Sequence, residues 1–277
     1  YSVPPDAWYF AANRSRRIPF CVLLEIALQP CGWLAGYLGS ALRSDQDLHF
    51  RNLEGTAVQH LELGPDAGLL TVRVRLTSSS EAGGMILQSF ALQVWAGGLA
   101  YEGTTKFGFF PGPALANQVG IRDAAERLWR PSDLSSAEAF EIPREAPLLP
   151  ADCGDPPTEE RLASPAGALQ NLDRIEALLP AGGPAGLGWI RGSLDVDPGA
   201  WFFAAHFFED PVIPGSLGLE SFQQLLKILA LRRWPDLRAS HRFEPIALGR
   251  PHTWLYRGQV IPSDAKVTVE AWVDSVE

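Results

Sequence analysis

The chain has 277 residues and a mass of 30.2 kDa, long enough to bury a core without a disulfide or a metal staple. Hydrophobic residues make up 46% and charged residues 20%, the balance of an ordinary globular protein rather than a fibrous or disordered one. A net charge of −9 repels phosphate backbones and excludes nucleic acid as an expected partner.

From the N-terminus, Pro5 to Asn13 reads as an aromatic strand. A tight Pro turn and a long apolar helix from about Cys21 to Arg43 follow. The helix is apolar enough to raise a membrane span, but Glu25, Gln29 and Pro30 within it argue for a helix buried in a soluble core, with no membrane insertion. Thr71 to Leu76 alternates apolar and polar residues, the signature of a half-buried strand. Met85 to Trp95 and Leu99 to Phe110 form a strand pair joined by the turn Ala96-Gly-Gly98. Pro113 to Leu128 reads as a surface helix and Pro131 to Pro165 as a linker. Leu169 to Leu179 reads as an amphipathic helix, ended by Pro180 and a glycine-rich segment, Gly182 to Gly188, that matches no phosphate-binding fingerprint. A second aromatic strand, Trp201 to Ala205, precedes a second helix from about Ser216 to Arg233. Strands from Trp254 to Val260 and from Lys266 to Val273 then pair around Ser263 and Asp264.

The chain repeats itself. Pro5-Asp-Ala-Trp-Tyr-Phe-Ala-Ala-Asn13 and Pro198-Gly-Ala-Trp-Phe-Phe-Ala-Ala-His206 share six of nine residues at an offset of 193. At an offset of 195, Ile18-Pro19, Leu24-Glu25 and Gln29 recur as Ile213-Pro214, Leu219-Glu220 and Gln224. Glu and Gln stand four apart in both helices, on one helical face. An antiparallel sheet wrapped around a central helix, occurring twice, is a double hotdog of the α+β class. The domains expected are a hotdog over 1–130, a linker with a short helix over 131–185, and a hotdog over 186–277. The last of these reads as cut short, because nothing after it matches the hairpin of the first copy.

The repeat singles out a column that holds His206 in the second copy and Asn13 in the first, a titratable base against a neutral amide. The segment His206-Phe-Phe-Glu-Asp-Pro-Val-Ile-Pro-Gly-Ser-Leu-Gly-Leu-Glu220 resembles the active-site run of the bacterial 3-hydroxydecanoyl-thioester dehydratases, with Glu220 where those enzymes have Asp. Phe50-Arg-Asn-Leu-Glu-Gly55, Gly103-Thr-Thr-Lys-Phe-Gly-Phe-Phe110 and Ala114-Leu-Ala-Asn-Gln-Val-Gly120 resemble the dehydratase didomain of polyunsaturated fatty acid synthases. The resemblance implies a module of a large synthase that needs no cofactor of its own. Its acyl substrate would be carried on the phosphopantetheine of an acyl carrier protein.

In that family the histidine of one copy works with the acid of the other copy's helix. The resemblance therefore implies His206 with Glu25 as the working pair and Asn13 with Glu220 as a vestigial one. His206 would take the C2 proton of a 3-hydroxyacyl thioester, and a protonated Glu25 would donate to the departing hydroxyl. The N–H of Gly215, at the start of the second helix, would stabilise charge on the thioester oxygen. Phe20 fills the matching place in the first copy. Cys21 and Gln29 are expected to line the substrate site, and Gln29 and Gln224 to orient the acids or to pack.

Other leads weigh less. Cys21 has no partner histidine in sequence context, and with Cys31 and Cys153 it makes no CxxC pair or zinc spacing, so no metal site and a reducing, cytoplasmic setting are expected. The segment Tyr1 to Asp6 lacks the features of a signal peptide. Leu217 to Phe222 resembles the serine segment of an acyl carrier, which would make Ser221 an attachment site, but the prolines before it put it in a hotdog helix. Three functions stand: dehydration, with or without isomerisation of the alkene; a non-catalytic acyl-binding or scaffold module; and a thioesterase.

Overall fold

The computed structural model describes residues 1–144 and 165–277. Residues 145–164, with Cys153 and much of the expected linker, lie outside the described residues. The chain forms two compact units that interleave along the sequence. One comprises Tyr1–Pro5, Phe20–Ile121 and Pro245–Gln259, and the other Asp6–Pro19, Arg122–Glu244 and Val260–Glu277. Each unit has one long helix lying on one antiparallel sheet, the hotdog arrangement expected.

In the first unit the helix is α2 (Phe20–Tyr37). The sheet contains β1 (Leu48–Gln59), β2 (Thr71–Ala82), β3 (Met85–Trp95), β4 (Leu99–Pro111) and β8 (Pro251–Leu255), in the order β2-β3-β4-β1-β8. Burial along β3 alternates strictly, so Phe90, Leu92 and Val94 point inward; α2, whose Leu23, Leu24 and Ala27 are buried, packs on β2 and β3. By length and composition α2 could cross a membrane; in the structure 44% of it is buried against the sheet. It stops at Tyr37 rather than Arg43, because Gly39 adopts a left-handed conformation (φ 68°) and the chain tightens into a 3-10 turn, Ser40–Arg43.

β8 corrects the expected pairing. Instead of forming a hairpin with the strand that follows, it joins the first sheet, with Glu54 opposite Leu255 and Val58 opposite Pro251. The join is secured by Trp254 Nε1 donating to Asn52 Oδ1 (2.7 Å), Arg51 donating to Gln259 Oε1 (3.1 and 3.0 Å), and Arg257 paired with Glu54. It also requires glycine at position 55, where a Cβ would fall 2.1 Å from the Trp254 ring.

In the second unit α6 (Gly215–Arg233) lies on β5 (Glu138–Glu141), β6 (Arg174–Leu179), β7 (Trp189–Asp195) and β9 (Lys266–Trp272), in the order β5-β6-β7-β9. Leu225 and Leu229 of the helix meet Ile175, Leu178, Ile190 and Val269 of the sheet. The expected helix over Leu169 to Leu179 is instead a 3-10 turn, Gly167–Leu169, followed by strand β6. Six residues of Arg-Ile-Glu-Ala-Leu-Leu satisfy either period, and pairing with β7 decides. The glycine-rich segment is accordingly a hairpin loop, not a linker. A Cβ on Gly188 (φ 127°) would meet the Leu229 side chain at 2.8 Å, so this glycine lets α6 approach. The expected linker thus carries β5 and β6. The expected surface helix over Pro113 to Leu128 is two short helices, α3 (Gly112–Ala116) and α4 (Ala124–Arg127).

The two aromatic runs expected as strands are short helices, α1 (Trp8–Asn13) and α5 (Trp201–Ala205). A short apolar run does not distinguish a strand from a buried turn of helix, and the paired alanines favour helix. The repeat extends to the backbone. Ala7 and Ala200 precede their helices at ψ 136° and 138°, and Arg14 and Phe207 follow at φ 50° and 61°.

Candidate active site

His206 leaves α5 with its backbone N–H bonded to the Phe202 carbonyl (2.8 Å), and the chain then passes through two left-handed non-glycine residues, Phe207 and Glu209. Such conformations cost of the order of 1–3 kcal/mol each and persist where the surroundings enforce them. The loop brings the Val212 carbonyl within 3.0 Å of His206 Nδ1. A carbonyl only accepts, so Nδ1 carries the proton, and a neutral ring presents its lone pair at Nε2. The ring is half-buried beside Phe207, with centroids 4.2 Å apart. Three residues beyond Val212, Gly215 begins α6. Pro214 before it has no N–H, its carbonyl accepts from Leu217 (3.0 Å), and the Gly215 N–H has no partner among the described residues.

The acidic column behaves differently in the two helices. In the second unit Glu220 is 1% exposed and its Oε1 accepts from Gln224 Nε2 (3.1 Å). Gln224 also donates to the Leu169 carbonyl (2.7 Å) and accepts from the Asn171 N–H (3.0 Å). Asn13 is buried in the same unit, its Nδ2 reaching the Arg17 carbonyl at 3.5 Å, and α1 packs on Gly167–Leu169. A cavity of about 50 Å³ beside α6, lined by Ile213, Leu217, Gly218, Ser221, Val260 and Val267, holds a few waters at most and is too small for an acyl chain.

In the first unit Glu25 is half-buried, and Gln29 is exposed and makes no hydrogen bond to it among the described residues. The expectation that Gln29 orients the acid is corrected: the Glu–Gln pair is bonded only in α6, where the packing around Gln224 holds it. Cys21 is a buried thiol, in no disulfide, in the first turn of α2. Burial pushes the Cys31 thiol up to about 12, which makes it a poor nucleophile at neutral pH.

A cluster at the start of α2 has no counterpart in the sequence reading. Tyr101 and His252 meet through the hydroxyl and Nε2 at 2.9 Å, and the Phe20 ring stands edge-on to His252 with centroids 4.9 Å apart. The Tyr256 hydroxyl is buried with no hydrogen-bond partner among the described residues, and burial, with a smaller electrostatic push from Glu25, holds the phenol in its protonated form. No local pattern signals this, because Tyr256 lies 231 positions from Glu25 and joins the same unit only through the pairing of β8 with β1. Burial pushes His252 down to about 4, so it is neutral at pH 7. A folded-state value below the unfolded one means that the unfolded chain binds the extra proton. Stability should therefore fall as pH drops from about 6.5 to about 4, by ~1–2 kcal/mol after allowance for partial exposure. His252→Gln is expected to flatten that acid-side loss in urea unfolding curves measured across this window.

Among the described residues no group of three or more His, Cys, Asp or Glu side chains could hold a metal ion. Residues 164–277 match the family model of the FabA-like domain. The FabA-like match covers β6, β7, α5, His206, Gly215 and Glu220, and leaves Glu25 and α2 outside it. Over 289 aligned residues, spanning the whole chain, the protein is 31% identical to a polyunsaturated fatty acid synthase polypeptide of Thraustochytrium sp.; the chain spans 19% of the length of that relative. Among solved structures, the dehydratase domain of PpsC from Mycobacterium tuberculosis, in complex with C12:1-CoA, aligns at 14% identity over 96% of this chain and 79% of its own, with a TM-score of 0.39. A putative oleoyl thioesterase from Lactobacillus plantarum aligns at 12% identity over 70% and 86%, with a TM-score of 0.31.

Proposed function

We propose that the chain is a dehydratase that converts 3-hydroxyacyl thioesters to 2-enoyl thioesters, with His206 as base and Glu25 as acid. The observation that carries this reading is the bond from His206 Nδ1–H to the Val212 carbonyl, which fixes the tautomer whose lone pair is on Nε2, in a loop of the FabA-like stretch. Nε2 takes the C2 proton and the electron pair moves toward the thioester carbonyl, where the Gly215 N–H and the N-terminal end of α6 stabilise the oxygen. The pair then returns to form C2=C3 as the C3–O bond breaks, and Glu25 supplies the proton with which the hydroxyl leaves as water. Proton transfer from the imidazolium back to the carboxylate restores the pair.

Whole-chain identity to part of a synthase supports a carrier-bound substrate. The chain would thus be one module of a cytoplasmic synthase, served by an acyl carrier protein and neighbouring domains and holding no cofactor of its own. Moving the product double bond would need the same base at C4, so isomerisation is a variant of this reading. The test is to incubate the chain with a 3-hydroxyacyl pantetheine thioester and follow the product by ultraviolet absorbance and mass. Loss of one water in mass with a conjugated enoyl chromophore is expected, and chromatography fixes the position of the alkene. Release of free acid would show a thioesterase, and unchanged substrate a binding module; either would overturn the proposal.

A further inference from the structure

We infer that Tyr256 donates a hydrogen bond to the substrate's 3-hydroxyl oxygen, holding it for protonation by Glu25; the inference rests on the reading of Glu25 as the acid. A buried hydroxyl without a partner is costly, and a native structure that keeps one calls for an explanation, a role in binding or catalysis among them. The Tyr256 hydroxyl is in that state, and by strand alternation Tyr256 shares the face of β8 that carries His252 against Phe20 at the start of α2, the helix that bears Glu25. The neighbouring Tyr101 hydroxyl is already engaged by His252 Nε2 at 2.9 Å, which leaves Tyr256 as the phenol able to donate. Burial keeps the phenol protonated, so it remains a donor at neutral pH.

Its position is firmly held. The Tyr256 N–H donates to the Leu53 carbonyl (2.7 Å). Arg257 spans the same stretch, donating to the carbonyls of Leu53 and Tyr256 at 2.8 Å each and pairing with Glu54. Lys106 and Arg257 hold the Glu54 carboxyl below the usual carboxylate range, so it stays ionised and the clamp stays closed at neutral pH. A donor fixed on a sheet in this way can act on an oxygen that gains negative charge as the C3–O bond breaks. In the other unit the matching acid, Glu220, is instead occupied by the Gln224 amide.

The experiment compares two ligands in the full 277-residue chain. In a His206→Ala background, which prevents turnover, dissociation constants are measured for a 3-hydroxyacyl pantetheine thioester and for the saturated acyl thioester of equal length. The 3-hydroxy ligand is expected to bind about five- to tenfold tighter, and adding Tyr256→Phe should erase that preference while leaving the saturated ligand within about twofold. In the otherwise unaltered chain, Tyr256→Phe should lower kcat by about 10- to 100-fold. A preference that survives Tyr256→Phe, or that is absent before the change, overturns the inference. Equal weakening of both ligands makes Tyr256 a structural residue and also overturns it. If His206→Ala and Glu25→Gln both dehydrate at the unaltered rate, the assignment of His206 as base and Glu25 as acid fails; if they are inactive and only the 3-hydroxyl preference is insensitive to Tyr256, this inference fails alone.

Discussion

Replacing His206 with alanine is expected to lower kcat for dehydration by about 10³-fold or more, with the melting temperature changed by only a few degrees. General-base catalysis contributes on the order of 10²–10⁴, and the imidazole supplies the lone pair that this step uses. The structural cost is small because the half-buried ring makes one hydrogen bond, to the Val212 carbonyl, worth about 1 kcal/mol. His206→Asn is the sharper variant. It puts into the second copy the residue that stands in the same column of the first, where Asn13 occupies the same short-helix ending. An amide preserves hydrogen bonding to the loop but supplies no base, so this variant should fold and fail to dehydrate. Turnover near the unaltered rate in either protein would remove His206 from the mechanism. The tautomer can be checked separately: nitrogen NMR of the neutral ring should find the proton on Nδ1.

The second large effect separates the two acids. Glu25→Gln is expected to reduce kcat by about 10²–10³ while leaving stability nearly unchanged, since Glu25 is half-buried and not bonded to Gln29 on its own helix. Glu220→Gln is expected to leave kcat within about threefold. Glu220→Leu should instead destabilise the fold by roughly 1–3 kcal/mol, because it strands the amide of Gln224, which now bridges Glu220, Leu169 and Asn171. Steady-state kinetics and urea unfolding on the three variants decide the matter. A reversed order, with Glu220→Gln inactive and Glu25→Gln active, would move the acid's role to the second helix.

Legibility in the sequence differs from element to element. Alternation marks β3 and the turn after it, since both are set within a dozen residues by period and by glycine. The repeat is legible too, down to the shared geometry around Ala7 and Ala200. The short aromatic segments and Arg174–Leu179 mislead because five or six apolar residues satisfy both periods, and only the surrounding structure selects one. Gln29 looks equivalent to Gln224 by spacing, yet one is exposed and the other is the centre of a buried network.

The amino-acid order alone determined the twofold repeat, the long helices with their paired Glu and Gln, and the His206 column, because these depend on residue identity and short-range spacing. Only the tertiary structure decided that Pro251–Leu255 joins the first sheet, that Glu220 is tied down, and that the Tyr256 hydroxyl is buried without a partner among the described residues. A strand's hydrogen bonds run to whichever distant edge matches its register and buried face, and nothing in its own few residues names that edge.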